Sequence, residues 1–171
     1  MRNWMASVAG AAGIGLAVAA CSSTATSSTT ASPAATNASS PAATAQAAGT
    51  ASVSLRAISG VPGKALVGSN GRTLYLFEAD KGGTSTCAGA CAAAWPPVTA
   101  SGMPTAGSGV NEALLGTVKR SDGTEQLTYN HHPLYYFAAD TGAGTAKGQG
   151  SKAFGAGWYV VNAKGSKIDN D

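Results

Sequence analysis

The sequence predicts an all-β domain in which two pseudo-symmetric β-meander repeats pack into one compact sandwich or barrel-like body. Three observations carry that prediction. The heptapeptide Leu-Tyr-Leu-Phe-Glu-Ala-Asp that starts at Leu74 returns as Leu-Tyr-Tyr-Phe-Ala-Ala-Asp from Leu134. Short runs rich in β-branched and aromatic residues alternate with Gly, Asn, Asp and Pro, the pattern of strands joined by tight turns. No segment after residue 55 sustains a long helical period, so long helices are not expected.

The start of the 171-residue chain reads as an export signal. Arg2 precedes a small-residue apolar run from Met5 to Ala20, too short to span a bilayer comfortably. It closes with Val18-Ala19-Ala20-Cys21. Small residues before a cleavage point mark a secretory signal peptide, here residues 1–20. A Cys directly after them resembles the lipobox of bacterial lipoproteins, in which the thiol is acylated and the Cys becomes the new N-terminus. That reading of Cys21 is preferred to an ordinary signal peptide with an incidental Cys because of the segment behind it. Residues 21–55 are mostly Ala, Ser, Thr and Pro, and no charged residue lies between Arg2 and Arg56. Such a segment buries too little apolar surface to offset its ordering entropy and is expected to be a disordered tether. The expectation is an exported chain held on the outer face of the cell membrane by lipid on Cys21.

Residues 56–171 remain for one folded domain, large enough for a core of its own. The chain carries 11 Lys and Arg against 8 Asp and Glu, without a basic cluster, so nothing argues for nucleic acid as a partner. Within the domain, Lys64 to Val67, a Gly68-to-Gly71 turn and Thr73 to Phe77 read as one hairpin. Gly116 to Arg120 and Glu125 to Tyr129 read as another around Ser121-Asp122-Gly123. His131-His132-Pro133 then bends the chain into Leu134 to Phe137. Trp158 to Val161 is the last strand, with a short extension after Lys164-Gly165. One helical turn is expected between Cys87 and Trp95. The repeats span about 64–98 and 124–162, and an ungapped offset from Tyr75 to Tyr135 places Val67 on Leu127. Each copy ends in a Trp followed by valine: Trp95-Pro96-Pro97-Val98 and Trp158-Tyr159-Val160-Val161.

These residues carry a resemblance. Tyr75, Phe77 and Asp80 match Tyr135, Phe137 and Asp140, and Cys87-Ala-Gly-Ala-Cys91 is followed by Trp95-Pro96-Pro97. With Asp122-Gly123-Thr124, Gly148-Gln149-Gly150 and Gly157-Trp158-Tyr159, the chain resembles the bacterial secreted-repeat lipoproteins with a Tyr-x-[Phe/Trp/Tyr]-x-x-Asp motif. The resemblance covers nearly all of residues 64–162. It implies an envelope protein and brings no biochemical activity with it.

In a strand, Tyr75 and Phe77 share one face while Leu74 and Leu76 share the other. Both faces are apolar, as in a central strand. Tyr135 and Phe137 repeat the pattern, and stacking of these aromatics across the pseudo-symmetric interface is preferred to a platform for a sugar or a porphyrin. Asp80 and Asp140 fall where each strand ends and read as Asx-turn residues accepting N–H bonds from the next few residues of the chain. A pair of cation-binding carboxylates is the sharper alternative.

Outside the cytoplasm, Cys87 and Cys91 read as a disulfide bracing the loop before Trp95. The alternative is a copper site or a redox dithiol, with His131 or His132 joining the sulfurs. Copper-delivery proteins of thioredoxin type share the spacing alone. Adjacent histidines point to opposite faces of a strand, and two solvent-facing turn residues is the preferred reading. Met103 is a soft but isolated candidate. No Gly-x-Ser-x-Gly elbow occurs and the only histidines are that pair, so no hydrolytic constellation forms. The expected function is therefore that of a non-enzymatic envelope lipoprotein, without a cofactor, whose β domain binds an unidentified envelope partner or ligand through loops such as 99–113 and 141–153.

Overall fold

The structure, a computed structural model, describes residues 50–169. The signal peptide, Cys21 and most of the tether lie outside the described residues. Strand β1 (Ser52–Ala57) pairs antiparallel with β2 (Lys64–Gly68), Leu55 facing Leu66. β3 (Tyr75–Phe77) follows, and then a five-residue helix α1 (Ala90–Ala94). β4 (Thr105–Ala106) lies parallel to the other edge of β1. β5 (Leu115–Lys119) and β6 (Glu125–Tyr129) form a hairpin with Thr117 opposite Leu127, and β7 (His132–Pro133) continues it. β8 (Trp158–Val160) pairs antiparallel with β3. The fold is all-β with sandwich-like layers and, among the described residues, one short α-helix; the described strands close no barrel. No helix among the described residues is long and apolar enough to cross a membrane.

The strand periodicity decides where the two cores lie. Leu66, Leu74, Leu76, Leu134, Tyr136 and Tyr159 point into one cluster, with Val53, Leu127 and Tyr129. Their neighbours Ala65, Val67, Tyr75, Phe77, Tyr135, Trp158 and Val160 point into a second cluster with Cys87, Cys91 and Trp95. Alternate side chains of one strand leave on opposite faces, so the central strands are buried on both sides. This explains why the motif strands lack the polar alternation of a surface sheet.

The repeats are interlocked rather than stacked side by side. Tyr75 and Tyr135 exchange both backbone hydrogen bonds at 2.9 Å, which puts a pseudo-twofold axis between them. Each repeat then lends its final segment to the other. Trp158–Val160 lies along Tyr75–Phe77, while Pro97 bridges Tyr135 and the Pro96 carbonyl accepts from the Tyr136 amide at 2.8 Å. Further out, the Val161 carbonyl accepts from Leu66 and the Val98 carbonyl from Leu127, at 2.8 and 2.7 Å. Apart from the parallel β1–β4 pair, these pairings in one half have their counterparts in the other.

Two expectations need correction. The tether is expected to run to residue 55, yet β1 starts at Ser52 and both Ala51 and Val53 are buried. Val53 and Leu55 supply the apolar alternation that the Ala/Ser/Thr background hides. The ungapped alignment also slips upstream: Leu66, not Val67, occupies the place of Leu127, since both accept the amide of the motif leucine at 2.9 Å. The cause is turn length. Ser69-Asn70-Gly71 makes a three-residue turn ending on left-handed Gly71, whereas the second copy turns in two residues, Asn130 and His131, both at positive φ. Two consecutive left-handed residues mark a type I′ hairpin.

Candidate functional site

The residues singled out by the repeat converge on the second core. Trp95 and Trp158 stack face to face across the pseudo-twofold, with ring centroids 3.9 Å apart and planes 6° from parallel. Phe77 caps Trp158 at 4.1 Å and Phe137 caps Trp95 at 4.3 Å. Tyr75 meets Trp95 edge-on at 5.3 Å, and Tyr135 meets Trp158 edge-on at 5.2 Å. Aromatic pairs in these geometries are each worth about 0.5–1.5 kcal/mol beyond burial. Tryptophans thus stack across the axis, where the sequence pointed to the motif aromatics; the Trp residues lie far from the motif in sequence and reach it through the exchanged segments.

The motif tyrosines and aspartates bond crosswise. Tyr75 donates from its hydroxyl to Asp140 Oδ2 at 2.5 Å, and Tyr135 donates to Asp80 Oδ2 at 2.6 Å. Each Asp also holds its own loop. Asp80 Oδ1 accepts from the Thr86 amide and hydroxyl at 2.8 and 2.6 Å, and Asp140 Oδ1 accepts from the Lys147 amide at 2.9 Å. The expected Asx turn is therefore replaced by a bond six or seven residues on, together with a bond into the other repeat. Burial, and then the Asp140 hydrogen bond, push the Tyr75 phenol far above its ordinary range. Burial and Asp80 push Tyr135 up to about 12. Both phenols are protonated across the physiological range.

A buried cation completes the site. Arg120 is 6% exposed and reaches from the end of β5 into the core. Its guanidinium donates to Ser85 Oγ at 2.6 Å, Gln126 Oε1 at 2.7 Å and the Cys87 carbonyl at 2.7 Å. Ser85 Oγ in turn lies 2.8 Å from the Tyr135 hydroxyl. Asp80, Tyr135, Ser85, Arg120 and Gln126 thus form one hydrogen-bonded chain. A smaller clamp serves the other half: Arg72 donates to the carbonyls of Phe137 and Asp140 and covers the Tyr136 ring. No buried side-chain polar atom among the described residues lacks a partner.

A family model described as a secreted repeat of unknown function (Lipoprotein_15) matches residues 57–99 and again 116–162, together more than half of the chain. The chain belongs to this family. No curated protein and no solved structure matches it. In this secreted repeat, Cys87 and Cys91 are joined as a disulfide with Cα atoms 5.2 Å apart, and both are buried. A disulfide and a secreted family together point to a compartment outside the cytoplasm.

The disulfide also bears on the copper alternative, which needs thiolate sulfur. Among the described residues no group of three or more His, Cys, Asp or Glu could hold a metal ion. His131 is exposed in its turn and His132 is half-buried; burial, then the neighbouring His131, lowers the pKa of His132. Met103 is 78% exposed in its loop. Sequence reasoning missed Arg120 and Ser85. A lone Arg at a strand end gives no sign of burial, and its partners Ser85 and Cys87 lie 35 and 33 residues earlier in the chain.

Proposed function

We propose that this secreted repeat is a non-enzymatic, lipid-anchored module that presents one rigid β domain on the outer face of the cell membrane. The observation that carries the reading is that its chemistry-bearing motif is spent internally. Tyr75, Tyr135, Asp80 and Asp140 are all buried, and each satisfies another repeat or loop of the same chain. A scaffold so saturated leaves contact with a partner to its surface loops. Loops 99–113 and 141–153 are the expected contact surfaces, for an envelope partner or ligand.

The anchor follows from Val18-Ala19-Ala20-Cys21 and the Ala/Ser/Thr/Pro segment behind it. Detergent phase partitioning of the expressed chain tests this. The natural sequence should enter the detergent phase and Cys21→Ser should not. Equal partitioning of the two would refute the anchor.

A further inference from the structure

The aromatic core has a property that packing alone does not require. It is a continuous run of oxidisable rings, ended on each side by a phenol already hydrogen-bonded to a carboxylate. Trp95 and Trp158 are in face-to-face contact at 3.9 Å, Tyr75 and Tyr135 meet them in edge-on geometry, and Asp140 and Asp80 accept hydrogen bonds from the two tyrosine hydroxyls. The crossed bonds that tie the repeats together also leave each phenol with a proton acceptor already in place, since both carboxylates are at most 6% exposed and bonded to the tyrosine hydroxyls. Burying such groups is costly unless they are fully bonded.

We propose that this core accepts single oxidising equivalents from an outer-sphere one-electron oxidant and stores them as a tyrosyl radical. The oxidant takes one electron from the Trp95–Trp158 pair and is reduced by one electron, leaving an indole radical cation. Tyr75 or Tyr135 then gives one electron to that indole. Its O–H bond breaks as the proton crosses the existing hydrogen bond to Asp140 or Asp80. The products are a neutral tyrosyl radical, a protonated carboxyl and a restored indole. Return of one electron from an outer-sphere one-electron reductant, with the same proton crossing back from the carboxyl, restores the phenol and the carboxylate.

Three features fit this sequence of steps. Burial and the carboxylate hydrogen bond raise both phenol pKa values, so neither proton leaves before the electron does. The Tyr135 oxygen keeps a neighbour when its proton goes, because Ser85 Oγ lies 2.8 Å away and itself accepts from Arg120. The two sulfurs of the cluster are joined as a disulfide, so no thiol there intercepts the hole. The proposal does not depend on the lipid anchor, and its failure would leave that reading untouched.

The test is flash oxidation of the full-length protein by a photogenerated ruthenium(III) polypyridyl complex, followed by transient absorption and electron paramagnetic resonance. A Trp4→Phe background confines tryptophan chemistry to Trp95 and Trp158. The expected result is a tryptophan radical that decays into a tyrosyl radical. In a protein with Tyr75→Phe and Tyr135→Phe the tyrosyl signal should vanish and the tryptophan radical persist. Asp80→Asn with Asp140→Asn should slow tyrosyl formation about tenfold or more, as expected on losing a charged proton acceptor. Near-UV circular dichroism identifies any variant that fails to pack. Failure to detect either radical in the unsubstituted core overturns the proposal whatever the variants do. So does a tyrosyl signal of equal yield in a packed protein lacking Tyr75 and Tyr135, which would place the hole on Tyr129, Tyr136 or Tyr159.

Discussion

Replacing Arg120 with Met keeps most of the buried stem and removes only the guanidinium. Three bonds of 2.6–2.7 Å disappear, to Ser85, Gln126 and the Cys87 carbonyl. Ser85 keeps Tyr135 as a neighbour, but Gln126 Oε1 and the Cys87 carbonyl lose a donor in places that water does not reach. Each buried acceptor left unpaired costs about 1–3 kcal/mol. Against this stands relief from burying a cation whose carboxylate partner Asp122 has a side chain 54% exposed and 3.3 Å away, since a buried charge carries a large desolvation penalty. The net expectation is a loss of about 3 kcal/mol. With a urea slope of about 1.5 kcal/mol per molar, the unfolding midpoint should fall by about 2 M. Asp122→Asn should barely move it, because that carboxylate sits in solvent. A midpoint for Arg120→Met close to the natural protein's, or an equal shift for Asp122→Asn, would refute the assignment of Arg120 as a hydrogen-bonding hub.

The other predictions concern the disulfide, alkaline pH and the independence of the halves. Cys87 and Cys91 close a loop with a sequence separation of 4, so the loop-entropy relation gives about 2 kcal/mol of stabilisation; melting curves with and without reductant should differ accordingly, and identical curves would contradict it. Tyr135 is held at about 12 in the fold against 10.0 for the free side chain. A raised pKa stabilises fully below the unfolded value, and that stability is lost as pH rises through the folded one. Stability should therefore fall from about pH 10 upward, and Tyr135→Phe should make that fall shallower while leaving the part due to Tyr75. A chain ending after residue 112 carries the first repeat but lacks Trp158–Val161, the segment that covers Tyr75–Phe77. It should give neither a cooperative melt nor dispersed amide resonances.

Much of the fold was legible because the strands keep a strict period of two. Leu74, Leu76 and Tyr75, Phe77 part to opposite cores as their alternation dictates, and the helical turn falls where Ala-rich sequence follows Cys87. The pairing partners were not legible. Nothing in Trp95-Pro96-Pro97-Val98 says that it lies against Tyr135 of the other repeat rather than Tyr75 of its own. The crossed Tyr–Asp bonds depend on that exchange, so they were hidden with it. β1 was hidden differently, by two apolar residues in a background whose composition reads as a coil. The one-residue slip between Val67 and Leu66 is a turn effect, because Asn130-His131 closes its hairpin in one residue fewer than Ser69-Asn70-Gly71.

The exchange of segments between the repeats is tested most directly by a double-mutant cycle on the motif. The pair Tyr75→Phe and Asp140→Asn, measured by urea unfolding, should show a coupling energy of about 1.5 kcal/mol or more, as for a buried hydrogen bond to a charged group. The pair Tyr75→Phe and Asp80→Asn, which lies within one copy of the motif, should be additive within about 0.5 kcal/mol. Interlocked repeats require the first coupling to exceed the second. Strong coupling within the copy and none across it would mean that each repeat closes on itself.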